Sequence, residues 1–494
     1  MKYSIDQIYN IKTETMIIGI PTHLNQMPHY DDINALFETS LQDLKQHHVI
    51  ESELGQVRST IAKVNDNLVR LISVGVGNRN HLTYADYLKI FGYLFQYLKD
   101  NRISSYDIFF DTFLSNQVPD EEVAATFGLQ SEQAIYEFDN YKSNKKPPFK
   151  MDVHIASEAR NLSASIEEGK VIGESINIAR NFSNMPPNIL TPDYFAEEVK
   201  GLFKGGNVEV DIKDEHAIEQ EGFGLLQAVG KGSINPPRLV TLTYKGAKDD
   251  VAPVALVGKG ITYDSGGYSI KSKQGMPTMK FDMCGASNVI GMMNAIAKLE
   301  LPINVVGVIA MAENMISNRA MKPDDVFTAL SGETVEVPNT DAEGRLVLGD
   351  AVFYSNQFQP RLILDFATLT GASVVALGSD KAAVMNHQAQ NERDGILKEA
   401  AYRDEFLFEL PITSTERQAI RRSDVADLTN HVNAHGKALF AAAFVTHFSG
   451  ETPHLHFDIA GPATTSKASH KGPKGPTGYL IQLVVNWIKN ESQQ

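Results

Sequence analysis

The chain has 494 residues, 43% of them hydrophobic and 21% charged, with a formal charge of −15. That hydrophobic content excludes general disorder, and the length exceeds one ordinary domain of roughly 100–200 residues. The acidic balance disfavours nucleic acid and anionic membrane as partners and suits metal cations.

The opening "MKYSIDQIYNIKTETMIIGI" carries acids and polar residues ahead of any apolar run long enough for a secretory signal. No stretch reaches the ~20 apolar residues of a membrane span, so a cytoplasmic location is expected. The first third alternates strand-like runs, "TMIIGI" and "LVRLISVGVG", with helical patterns such as "YADYLKIFGYLFQYLKD". It reads as a smaller N-terminal α/β domain over 1–150. The polar, basic "NYKSNKKPPFKM" at 140–151 is the candidate linker, followed by a linking helix region over 151–180.

From 181 to 494 strands rich in β-branched residues recur: "NVEVDI", "RLVTLTY", "VAPVALVG", "INVVGVIAM", "RLILDFATL" and "HLHFDIAG". Helical segments such as "GASNVIGMMNAIAKLE" separate several of them. Near-continuous apolar strands alternating with helices predict a larger C-terminal α/β domain, its mixed, mostly parallel sheet covered by helices. In such sheets functional groups gather where strands end and loops begin.

Two segments concentrate chemistry at such ends. "VGKGITYDSGGYSIKSKQGMPTMKFDMCGA" leaves an apolar run and contains Lys259, Asp264, Lys271 and Asp282 among glycines; "VEVPNTDAEGRLVLGDA" contains Asp341, Glu343 and Arg345. Salt bridges around loops are the plain alternative for any one acid–base pair. Four carboxylates in otherwise apolar surroundings need partners or a cation, because isolated buried charge is costly. Oxygen ligands without histidine suit Mg²⁺, Mn²⁺ or Zn²⁺, and four carboxylates suffice to bridge two such ions. A lysine joins as a ligand only when neutral, which adjacent dications favour.

Competing motifs fare worse. "GLLQAVGKGS" lacks the spacing and the Ser or Thr of a phosphate-binding loop, since Gly232 follows Lys231. His454, His456 and Asp458 of "HLHFD" share a strand face, yet no second histidine cluster accompanies them, and hydrogen bonding at a strand end is the expected role. No G-x-S-x-G elbow occurs. The single cysteine, Cys284, excludes a disulfide framework and an all-thiolate zinc site, and is expected as a buried thiol.

"NTDAEGRL" at 339–346 resembles the signature of the leucyl (cytosol) aminopeptidase family. "VGKGITYDSGGYSIK", "MKFDMCGA", "DFATLTGA", "SDVADLTN" and "HFDIAGPA" extend the likeness over about 181–478, in the family's order. The resemblance implies a catalytic C-terminal domain that releases N-terminal residues, leucine and other mainly apolar ones, from peptides with a free amino group. It implies two divalent metal ions, Mn²⁺ or Zn²⁺: Lys259, Asp264, Asp282 and Glu343 about the tighter one, Asp264, Asp341 and Glu343 about the more exchangeable one. Lys271 and Arg345 match catalytic positions. A bicarbonate acting as general base is implied beside Arg345 and the amides of Ala342, Gly344 and Leu369, and Met279, Thr368 and Gly371 are implied in the substrate pocket. A homohexamer of two stacked trimers is also implied. Tyr263, Gly349 and Lys437 depart from the family pattern, Lys437 standing where a second glycine is frequent. Two other classes remain beside this reading: a different metal-dependent amidase or dipeptidase, and a secondary DNA-binding role.

Overall fold

The computed structural model describes residues 1–6, 11–432 and 435–492, which form two compact units, 1–174 with 467–474 and 175–466 with 475–494. The first is built on a six-stranded sheet of β1 (Lys2–Asp6), β2 (Thr15–Pro21), β3 (Val57–Val64), β4 (Asn67–Gly77), β5 (Ser105–Phe109) and β6 (Asp152–Ala156), in the order β1-β6-β5-β2-β4-β3. All neighbours pair in parallel except the β3–β4 hairpin. Its two turn residues, Asn65 and Asp66, both have positive φ, as a tight twisted hairpin turn requires.

Helices α1 (Tyr84–Asp100) and α2 (Asp120–Gln133) pack together, and Phe91 and Phe127 make edge-on contact with ring centroids 5.2 Å apart. A Thr83–Asp86 capping box starts α1, satisfying amides that the first turn leaves free. The segment after the linker candidate is not wholly helical. β6 lies between β1 and β5, with His154 accepted by Asp6 and Asp107 on those strands, so the first unit extends past residue 150. Helix α3 (Leu162–Asn184) follows it.

The second unit holds an eight-stranded sheet: β7 (Val208–Lys213), β8 (Arg238–Lys245), β9 (Val254–Asp264), β10 (Asn304–Asn314), β11 (Leu362–Ala367), β12 (Ala382–His387), β13 (Leu407–Glu409) and β14 (His454–Asp458). The order is β13-β12-β14-β11-β9-β10-β8-β7. The four central strands run parallel, while β7, β8 and β12 join antiparallel neighbours, giving the expected mixed sheet. β10 is buried along its whole length and β9 nearly so, which explains their unbroken apolar sequences. Phe366 and Phe457 stack across the β11–β14 pair at 5.0 Å.

Helix α4 (Cys284–Lys298) packs on β9 and β11 very closely. A Cβ at Gly285 would come within 2.0 Å of Phe366 O, and one at Gly258 within 2.8 Å of Ala286 Cα. These glycines let the helix start reach the sheet. Helices α5 (Gly344–Ser355), α6 (Gly371–Leu377) and α7 (Lys437–His447) complete the surroundings of the central strand ends. No helix among the described residues is long and apolar enough to cross a membrane.

Candidate metal centre

The carboxyl ends of the parallel strands converge on one cleft of about 420 Å³. β9 delivers Lys259 and ends at Asp264; β11 ends just before Thr368 and Leu369; β14 ends at Asp458, two residues before Ala460. The close seating of α4 brings Asp282, just ahead of it, to Lys259. All the residues that the resemblance implies as metal ligands, catalytic groups, anion donors or substrate pocket line this cleft except Gly344, which lies directly behind Lys259.

Lys259 Nζ lies 2.8 Å from Asp282 Oδ1, 3.1 Å from Glu343 Oε1 and 2.9 Å from Thr368 O. Lys271 Nζ lies 2.8 Å from Asp264 Oδ2 and 2.7 Å from Asp341 Oδ1. Asp264, Asp341 and Glu343 each offer an oxygen within 4.8 Å of the others'. The four carboxylates outnumber the two ammonium groups, so two negative charges stay uncompensated among these six residues.

Burial, together with repulsion from Glu343, raises the pKa of Asp264; burial also raises Asp282 and Asp341 against the pull of the lysines. Asp282 Oδ2 is buried with no hydrogen-bond partner. Burial works against the charge on Lys259 and Lys271, but the surrounding carboxylates prevail and raise both pKa values. An oxygen-rich, electron-rich donor set with one orphaned buried carboxylate oxygen fits divalent cations.

Several groups position the site, and Asn314 and Asn430 among them escape a reading of the sequence. Asn314, at the end of β10, donates to Asp264 Oδ1 at 2.8 Å and to Thr340 O at 3.0 Å. Asn430 donates to Asn339 O at 2.8 Å and Ala342 O at 3.1 Å, while its own carbonyl accepts Arg345 Nη1 at 2.7 Å. Thr368 Oγ1 donates to Asp282 Oδ1 at 2.8 Å. Asp458 accepts the Thr370 hydroxyl at 2.6 Å and the Leu369 amide at 3.2 Å. The Ala342 amide donates to Asn339 O at 3.3 Å.

Arg345 is 6% exposed, with its guanidinium carbon 5.8 Å from the Phe440 ring centroid and Nε without a partner. Burial lowers its pKa to about 10, which leaves it charged at neutral pH. A buried guanidinium with an open donor is suited to an anion.

The strand-end histidines serve the sheet. His454 Nε2 and His456 Nδ1 both reach Asp365 at 2.7 Å, and all three are fully buried. Cys284 is likewise buried, its thiol pushed up to about 12 by desolvation, which makes it a poor nucleophile.

A carboxylate-rich cleft at the carboxyl ends of a covered parallel sheet defines a metal-dependent enzyme. Residues 177–485 match the catalytic domain of the cytosol aminopeptidase family, and residues 22–145 match its N-terminal domain. The chain is 39% identical over 480 residues to the probable cytosol aminopeptidase of Exiguobacterium sibiricum, covering 97% of each. It is 35% identical over 488 residues to that of Bacillus subtilis, covering 98% of this chain and 97% of the relative. Among solved structures, the bottromycin maturation enzyme BotP is similar with a TM-score of 0.85 at 28% identity, over 97% of this chain and 100% of that one. BotP in complex with Mn has the same TM-score and identity, over 97% of this chain and 99% of that one. The chain belongs to the cytosol aminopeptidase family and is a metal-dependent aminopeptidase, a hydrolase of peptides.

Proposed function

We propose that Lys259, Asp264, Asp282, Asp341 and Glu343 hold two divalent ions, Mn²⁺ or Zn²⁺, with Asp264 and Glu343 shared between them. The observation that carries this is the surplus of buried carboxylate over ammonium, with Asp282 Oδ2 unpartnered. Such ions supply Lewis acidity for activating water and polarising a peptide carbonyl. With the ions bound, Lys259 would serve as a neutral amine ligand, and Lys271, no longer needed by the carboxylates, would present its ammonium to the oxyanion of the substrate carbonyl.

Arg345 orients an anion, bicarbonate in the resemblance, whose chemistry is that of a general base. The amides of Ala342, Gly344 and Leu369 are its further donors. The acceptors that Ala342 and Leu369 now use, at 3.3 and 3.2 Å, are long enough to be exchanged for it.

Met279, Thr368 and Gly371 line the cleft beside Ala372, Val374, Ala460 and Ala463, a surface suited to a moderately apolar first side chain such as leucine. A cytoplasmic location and a homohexamer are carried over from the family resemblance. Light scattering on the native protein tests the assembly, and a monomer would contradict it.

Metal stoichiometry tests the ligand set. Wild-type protein loaded with Mn²⁺ and freed of excess should retain two ions per chain, and Asp341→Ala one, since Asp341 serves only one position. Two ions retained by the variant would refute the assignment.

A further inference from the structure

The cleft has two stretches of wall, each tied together by hydrogen bonds. Thr368 Oγ1 to Asp282, with the amides of Leu369 and Ala460 to Asp458, joins the segments around 279–282, 368–374 and 460–464. Asn430, with its donors on Asn339 O and Ala342 O and its carbonyl on Arg345, joins the turn at 339–345 to the segment beginning at 430. The first wall presents Met279, Ala372, Val374, Ala460 and Ala463; the second presents Asn339, His431 and Lys437. If the apolar wall takes the side chain of the first residue, the polar, basic stretch is what the cleft has left for the rest of the peptide.

Lys437 opens α7 one turn before Phe440, whose ring lies against Arg345. Three residues apart on a helix, these side chains project on the same side. Ala438, next to Lys437, is buried in a small cluster with Ala372 against it, which fixes the start of the helix at the cleft rim. Lys259 and Lys271 are paired with the site's own carboxylates, and Arg345, bonded to Asn430 O, has its open Nε assigned to the anion proposed above. Lys437 is exposed to the cleft and has no ion-pair or hydrogen-bond partner among the described residues. A lone ammonium at the rim, beyond a carboxylate cluster reserved for cations, is suited to a ligand carboxylate.

Resting on the reading of the site given above, we infer that Lys437 is a specificity-determining residue that recognises a carboxylate on the leaving side of the substrate. Two sources present that group one residue beyond the scissile amide, about 3.5 Å of chain: the C-terminal carboxylate of a dipeptide, and the side chain of an acidic second residue. The interaction attracts substrate and transition state alike, so it acts on KM more than on kcat.

The test compares kcat/KM of the Mn²⁺-loaded enzyme on two matched pairs, Leu-Gly against Leu-Gly-amide and Leu-Asp-amide against Leu-Asn-amide. Wild type should favour the carboxylate member of at least one pair by about three- to tenfold, declining as ionic strength rises. Preference in the first pair alone marks dipeptides as the favoured class, and in the second alone, peptides with an acidic second residue. Lys437→Gln should bring the preference close to unity and Lys437→Glu should invert it. A preference within about twofold of unity in both pairs for wild type, or one that persists in Lys437→Gln, would overturn the inference while leaving the aminopeptidase reading intact. Failure of wild type to cleave any of the four peptides would count against that reading instead.

Discussion

Replacing Asn430 with alanine removes the two hydrogen bonds that hold the 339–342 turn, at 2.8 Å to Asn339 O and 3.1 Å to Ala342 O. Asn430 is fully buried, so no water stands ready to replace them. At about 1 kcal/mol per bond, rising where a buried carbonyl is left unpaired, the loss of stability should be about 2–4 kcal/mol. The functional effect should be disproportionate, because that turn carries Asp341 and leads into Glu343 and Arg345. A shift of about 1 Å in such groups costs on the order of 10²-fold in rate. Urea unfolding of the variant, with kcat and KM on leucine p-nitroanilide at saturating Mn²⁺, measures both quantities. Asn430→Asp keeps the shape but faces two carbonyls with a carboxylate, so it should be no better. A loss of less than about 0.5 kcal/mol with kcat within about twofold of wild type would refute the positioning role.

The buried trio of Asp365, His454 and His456 makes a pH prediction. Burial opposes the charge on Asp365, but the two histidines hold its pKa below the ordinary value; burial opposes the charge on His456, but Asp365 raises it. The lowered Asp365 contributes stability above about pH 4, lost as pH falls through its folded pKa. The raised His456 contributes stability below about pH 6.5, lost as pH rises through its folded pKa. Unfolding free energy should therefore be largest between those limits, and Asp365→Asn should flatten the profile on both sides while costing about 3–5 kcal/mol. An unchanged profile would contradict this. At Gly344 an added Cβ would fall 2.4 Å from Lys259 Cε, a side chain already pinned by Asp282, Glu343 and Thr368. Gly344→Ala should lower kcat on the order of tenfold or more, and activity equal to wild type would show that Lys259 can move freely.

How much of this was legible beforehand follows from the kind of contact involved. The apolar runs that became β8 to β11 and β14 announce themselves because strands buried on both faces have little polar alternation, while β7, a half-exposed edge strand, shows the alternation itself. β12 and β13 did not stand out: β13 is three residues long with two exposed, and β12 ends in the polar Asn386 and His387. The end of the first unit was misjudged because the proline pair and lysines mark a break that β6 then follows, returning to pair with β1. The carboxylates and lysines of the site were readable as two glycine-rich segments at strand ends. Asn314 and Asn430 were not, because each matters only through partners brought near by the fold: Asp264 and Ala342. The same holds for Asp365. Alternation along β14 puts the two histidines on one face, but only the register of β11 with β14 puts a carboxylate between them.

The most direct measurement is hydrolysis of Leu-Gly beside N-acetyl-Leu-Gly by metal-stripped protein before and after Mn²⁺ is restored. The account predicts no turnover without metal, recovery with it, and cleavage of the free-amine peptide alone. Turnover by the stripped protein, or equal cleavage of the blocked peptide, would contradict it.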